Sequence, residues 1–145
     1  MTTQCSEDAA MGLSQEIHAN CIVCGRNNPR GLRVQFSLAG DGGVEASFDC
    51  QKVFEGYDNH LHGGVIAALL DGAMMNCLFA HGHLAVTAEL TIRYRQPVAI
   101  GRPATVRAWI RQSSHGLHRM QADLQQDNRL LVSAKATFLD RRTER

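Results

Sequence analysis

The chain has 145 residues, 44% of them hydrophobic and 20% charged, which suits one domain able to bury a real core. A formal net charge of +1 gives no electrostatic case for nucleic acid or an acidic membrane surface, so neither is expected as a partner. The five cysteines are an odd number without regular disulfide spacing, and no signal-peptide pattern opens the chain, which fits a reducing, cytoplasmic compartment.

Residues 1–17 carry Thr, Gln, Ser, Glu and Asp with little apolar patterning and are expected as a loose tail. The folded domain is expected over 18–140, followed by a basic tail over 141–145. The domain opens on His18-x-x-Cys21-x-x-Cys24, a spacing that suits three soft metal ligands or a Cys21/Cys24 redox pair. No second Cys-x-x-Cys or His-x-x-x-His completes a four-ligand site. A structural loop is therefore the favoured reading, and no metal or cofactor is expected.

Val34, Phe36 and Leu38 alternate with Gln35 and Ser37, as Val44, Ala46 and Phe48 do with Glu45, Ser47 and Asp49. Gly40-Asp41-Gly42-Gly43 between them has turn chemistry, so the two runs predict a hairpin. A long apolar stretch follows, from His62-Gly63-Gly64 to Ala80. It is apolar on every helical face except where Asp71 and Asn76 project, which predicts a helix in the middle of a core. Its length approaches a membrane span, but Asp71, Gly72, Asn76 and the strands that follow argue against one.

Beyond the helix, Leu90, Ile92 and Tyr94 alternate with Glu89, Thr91, Arg93 and Arg95 until Pro97 ends the strand or places it at an edge. Val106, Ala108 and Ile110 mark the next strand, and Ser113-Ser114-His115-Gly116 turns into Met120, Ala122 and Leu124. Asp127-Asn128 then turns into Val132, Ala134, Ala136 and Phe138. The order is ββαββββ, with the last four strands expected as a meander of tight turns. An α+β fold follows, a curved and mostly antiparallel sheet wrapped around one long central helix. The helix has apolar surface to spare, which predicts association with a second copy.

Asp71 is the sharpest chemical signal. Carboxylates are rarely buried unless they are paired or used. Its apolar neighbours Leu69, Leu70 and Met74 should desolvate it and make it a stronger base. If the helix begins at Gly63, its unpaired N–H groups and positive dipole end are ready for a developing oxyanion. Gly63 and Gly64 also allow close approach to the backbone.

Three segments taken in order resemble the hotdog-fold acyl-CoA thioesterases, specifically the phenylacetate-degradation (PaaI-type) superfamily. They are Cys24-Gly25 with Asn28-Pro29 and Gly31-Leu32; His62-Gly63-Gly64 with Leu69-Leu70-Asp71; and Thr87-Ala88-Glu89-Leu90 through Arg93-Tyr94, Pro97-Val98 and Gly101. The resemblance covers roughly residues 20 to 139. It implies thioester hydrolysis of an acyl-CoA, with Asp71 as general base or nucleophile and the Gly63 N–H as oxyanion donor. It also implies that His62 orients the thioester carbonyl or fixes the turn, and that Thr87 orients the attacking water. A homodimer or homotetramer with sites between subunits is implied too, so that Asp71 and Thr87 of one site come from different chains.

One departure stands out. Many relatives carry Asn or Gln where this chain has Gly56; Asn59 or His60 is the candidate replacement. Met74, with Met75, Leu78 and Phe79, is a candidate lining for an acyl pocket, with core packing as the commoner alternative for such residues. Arg93 and Arg95 are candidates for the coenzyme A phosphates. The other histidines, His118 among them, lie near predicted turns. The competing reading is a non-catalytic acyl-CoA binding or sensing protein on the same fold, since fold alone does not fix activity.

Overall fold

The computed structural model describes residues 17–141, so the expected tails over 1–17 and 141–145 lie outside it except for Ile17 and Arg141. Helix α1 spans Gly63–Ala80, as the apolar stretch predicted. His62 caps its start, its Nδ1 accepting the Gly64 N–H at 2.8 Å. The other end closes on a left-handed Gly82 (φ 79°), with the His83 N–H on the Leu78 carbonyl and the Gly82 N–H on the Phe79 carbonyl. Between these caps Leu, Ala and Met predominate, all good helix formers.

Six strands wrap this helix: β1 (Ser37–Leu38), β2 (Val44–Asp49), β3 (Ala85–Tyr94), β4 (Pro103–Ser114), β5 (Leu117–Gln126) and β6 (Arg129–Asp140). They form one sheet in the order β1-β2-β4-β5-β6-β3, antiparallel at every pairing. The two-residue turns His115-Gly116 and Asp127-Asn128 have positive φ at both positions, the geometry that matches strand twist in tight hairpins. Inward residues alternate as expected, with Val106, Met120, Leu124, Val132 and Phe138 all fully buried against Leu69, Leu70 and Leu78 of the helix. By length and hydropathy α1 could cross a membrane; here the sheet covers most of it.

Two expectations are corrected. The strand predicted from Val34 to Leu38 shrinks to two residues, because the Leu32 and Val34 N–H groups bond the Ile22 and Val23 carbonyls instead of a sheet neighbour. Arg33, left-handed at φ 53°, breaks the extended run between them. The meander also covers only β4, β5 and β6. Strand β3 crosses to the far edge and pairs with β6, because a long connection through Pro97, not a two-residue turn, joins it to β4.

Candidate active site

Position along α1 decides which faces are covered. Leu69, Leu70, Ala73 and Met74 are fully buried, while Gly64, Ala67, Ala68 and Asp71 follow one another along the face that the sheet leaves partly open. Asp71 is therefore half-buried, and its desolvating neighbours in sequence turn away from it into the core. One of its carboxylate oxygens accepts the Thr87 hydroxyl at 2.6 Å, and no described residue donates to the other. That leaves one oxygen oriented by a fixed donor and one available to water or substrate.

Thr87 reaches Asp71 because β3 bulges. Thr87 pairs with Phe138, which faces the helix, whereas Glu89 pairs with Thr137, and the register shifts between them. The extra residue, Ala88, turns Thr87 inward. The two residues thus meet within one chain, contrary to the expectation that they come from different subunits.

The N-terminus of α1 is held on three sides. The His62 N–H donates to the Phe54 carbonyl, and the His62 carbonyl accepts the Ile66 N–H at 3.0 Å. The Gly63 N–H lies on the opposite side of that trans peptide, so it points out of the helix end, and no described residue accepts it. The next peptide is clamped at both atoms: its Gly64 N–H by His62, and its Gly63 carbonyl by the Tyr94 hydroxyl at 2.7 Å. His62 is consequently the helix cap, and Gly64 spends its N–H on that cap. Tyr94 was missed as a site residue, although it lies within the third motif; burial pushes its pKa up, which keeps the hydroxyl a donor. Tyr94→Phe should lower turnover at this site by about tenfold, the scale of one lost hydrogen bond, with the melting point nearly unchanged. Unaltered kcat and KM in the variant would mean the clamp has no part in turnover.

Other expected site residues fall elsewhere. Met74 is fully buried in the core and presents nothing to a ligand; Met75, at the edge of the open face, is 9% exposed. Asn59 is a turn residue at φ 63°, its N–H bonded to Glu55 Oε2 and its carbonyl to the Ile100 N–H. Gly56 has a packing reason: a Cβ there would stand 3.1 Å from His62 Cδ2, against the capping ring. Arg95 bonds Ser133 Oγ at 3.3 Å. A groove of about 510 Å³ runs over the outer sheet face between Arg111, Arg119, Lys135 and Glu89, on the side away from the helix.

Two further polar clusters exist among the described residues. His118, expected near a turn without special role, is 1% exposed, with Nδ1 on Ser113 Oγ at 2.6 Å and Nε2 on Asp140 Oδ1 at 2.7 Å. His83 lies beside it, the two rings tilted at 43° with centroids 4.4 Å apart. In the second cluster, His18, Cys21 and Cys24 bring their ligand atoms within 4.8 Å of one another. The Cys24 side chain is the main influence holding the Cys21 thiol down at about 4, helped by the Cys24 and Val23 N–H groups and His18, against burial. Burial pushes Cys50 up to about 11 and Cys77 to about 12. In chelator-treated protein, iodoacetamide should modify Cys21 before Cys50 and Cys77, at a rate flat from pH 5 to 8 because its thiolate already predominates. Mass-mapped labelling checks this, and a rate that climbs tenfold per pH unit in that range would contradict it.

Comparison with known proteins follows the same lines. The thioesterase superfamily model matches residues 58–133, from the loop before α1 into β6. No curated protein matches the sequence. Among solved structures, a thioesterase superfamily protein is 26% identical with a TM-score of 0.79 over 83% of this chain, which spans 60% of that neighbour's length. The E. coli PaaI protein from the phenylacetic acid degradation operon is 13% identical, with a TM-score of 0.78 over 97% of this chain and 96% of its own. A hypothetical thioesterase from Streptococcus pneumoniae, solved with coenzyme A, is 17% identical, with a TM-score of 0.75 over 91% and 99%.

Proposed function

Since the chain belongs to the thioesterase superfamily and has the hotdog fold of the PaaI protein, we propose that it hydrolyses an acyl-CoA thioester to coenzyme A and a carboxylic acid. The observation that carries this reading is Asp71, oriented by Thr87 on the partly open face of α1 with its second oxygen unengaged. Acting as base, Asp71 takes a proton from water as the water oxygen bonds the thioester carbon; the C–S bond then breaks, and the departing thiolate takes up the proton held by Asp71 to leave as coenzyme A with the carboxylate free again. Acting as nucleophile, a carboxylate oxygen of Asp71 bonds the thioester carbon as the C–S bond breaks and the coenzyme A thiolate leaves, and water then opens the mixed anhydride to the carboxylic acid and free Asp71. Coenzyme A as the leaving group is supported by the Streptococcus pneumoniae neighbour solved with that molecule.

The oxyanion donor bears on assembly. Gly63 and Asp71 are eight residues apart (71 − 63), which a helical rise of 1.5 Å per residue makes about 12 Å. Donor and base must each come within about 3 Å of one reacting group. One chain therefore cannot supply both to one thioester, and the arrangement that fits is a homodimer in which Asp71 of one chain faces Gly63 of the other. The open strip of Gly64, Ala67 and Ala68, lacking bulky side chains, suits that approach of two helices.

The test is coenzyme A release from short, long and aromatic acyl-CoA thioesters, followed with a thiol reagent. Release above the buffer blank for any member supports hydrolysis and names the acyl class. Binding of acyl-CoA without release from any of them would replace the proposal with the binding-protein reading.

A further inference from the structure

The segment before the sheet folds back on itself. The Cys21 N–H bonds the His18 carbonyl at 3.0 Å, and the Gly25 N–H bonds the Cys21 carbonyl at 2.8 Å. The Val23 N–H points at Cys21 Sγ, 3.4 Å away. Amide donors aimed at a sulfur in a Cys-x-x-Cys turn stabilise negative charge on it, which is the form a metal binds. Only glycine can close this turn: a Cβ on Gly25 would lie 2.3 Å from the Cys21 nitrogen and 2.6 Å from its carbonyl oxygen.

His18 completes the group from one turn upstream. Its Nδ1 stands 3.9 Å from Cys24 Sγ, and all three donor atoms lie within 4.8 Å of one another. A tetrahedral zinc with bonds of about 2.3 Å to sulfur and 2.05 Å to nitrogen needs a sulfur–nitrogen separation of about 3.6 Å. The observed pair is within a few tenths of an ångström of that value. Two sulfurs and one imidazole are the donor types that Zn2+ prefers.

We infer that His18 Nδ1, Cys21 Sγ and Cys24 Sγ bind a zinc ion, with water at the fourth corner, that fastens the N-terminal segment to α1. The fastening is visible in the packing. Val23, inside the Cys-x-x-Cys turn, sits so close to α1 that a Cβ on Gly72 would be 2.5 Å from its Cγ1. The His18 ring meets Phe79 edge-on at 4.9 Å. The site therefore braces the stretch of helix that carries Asp71, neighbour to Gly72. Sequence reasoning dismissed this motif for want of a second half, but a site with one solvent ligand does not need one. The other cluster is a weaker competitor, because both nitrogens of His118 are already committed to Ser113 and Asp140.

The experiment is titration of the reduced, chelator-treated full chain with Co2+, then displacement by Zn2+. The expected result is about one Co2+ per chain, with intense thiolate-to-cobalt charge-transfer absorption that zinc abolishes. Cys24→Ser should remove most of that absorption, and His18→Asn should weaken binding at least tenfold while retaining the sulfur bands. His83→Asn should leave the titration unchanged. If a cysteine variant does not fold, the wild-type chain still decides: zinc should raise its melting temperature and excess chelator should reverse the rise. Absence of charge-transfer absorption in folded wild type, or equal loss of binding in His83→Asn, overturns the inference. So does a native mass showing Cys21 and Cys24 joined as a disulfide that excludes metal.

Discussion

Asp71→Asn should lower kcat for acyl-CoA hydrolysis by 10²–10⁴-fold, about the contribution of a positioned base, while leaving acyl-CoA affinity nearly intact. The substitution is close to isosteric, and the Asn carbonyl oxygen can still accept the Thr87 hydroxyl that now bonds Asp71 at 2.6 Å. The fold should survive, and the melting point should move little. Thr87→Val tests the same pair from its other side. It leaves the carboxylate but removes its orienting donor, a hydrogen bond to a charged group worth about 1.5–3 kcal/mol, so a loss of about 10- to 100-fold is expected. Steady-state kinetics on the best thioester separate these effects. An Asp71→Asn variant retaining a third or more of wild-type kcat would remove Asp71 from the chemistry.

Mixing two inactive variants should restore activity. Gly63→Ala puts a Cβ 3.7 Å from the Tyr94 ring, ordinary contact, so the chain should fold while the new methyl obstructs the donor N–H. Alone, it should lose about 10²-fold or more in kcat, the scale of one oxyanion donor. In a mixed dimer with Asp71→Asn, one site combines an intact Asp71 with Gly63 of the partner subunit, and the other site has neither. Random reassortment of equal amounts makes half the dimers mixed, each with one good site, so about one quarter of wild-type activity should return. Recovery absent after verified subunit exchange would argue that each chain works alone. The 12 Å separation along α1 would then need another donor beside Asp71.

Much of this site is local and was therefore readable. Asp71 stands out because a charge in an apolar helix is costly wherever that helix packs. The limits of α1 follow from its apolar run, its His62 cap and Gly82, all set by neighbours within a turn. What escaped depends on contacts across the chain. Alternation puts Thr87 on the same face as Glu89 and Thr91; only the bulge at Ala88, imposed by pairing with β6, turns it toward Asp71. Tyr94 reads as one more strand residue until the curvature of β3 brings its hydroxyl to the Gly63 carbonyl. Met74 reads equally as pocket lining or core, and only the rotation of the helix decides for the core.

The sequence by itself determined an antiparallel sheet curved around one central helix and the identity of that helix's carboxylate, because periodicity, caps and turn chemistry act over a few residues. Only the tertiary structure decided which strand lies beside β6, which hydroxyl orients Asp71, and that His18, Cys21 and Cys24 converge beside Gly72. Those outcomes depend on sheet register and on the way distant segments settle onto the helix. A one-residue bulge reverses the face of a side chain, and linear spacing carries no record of it.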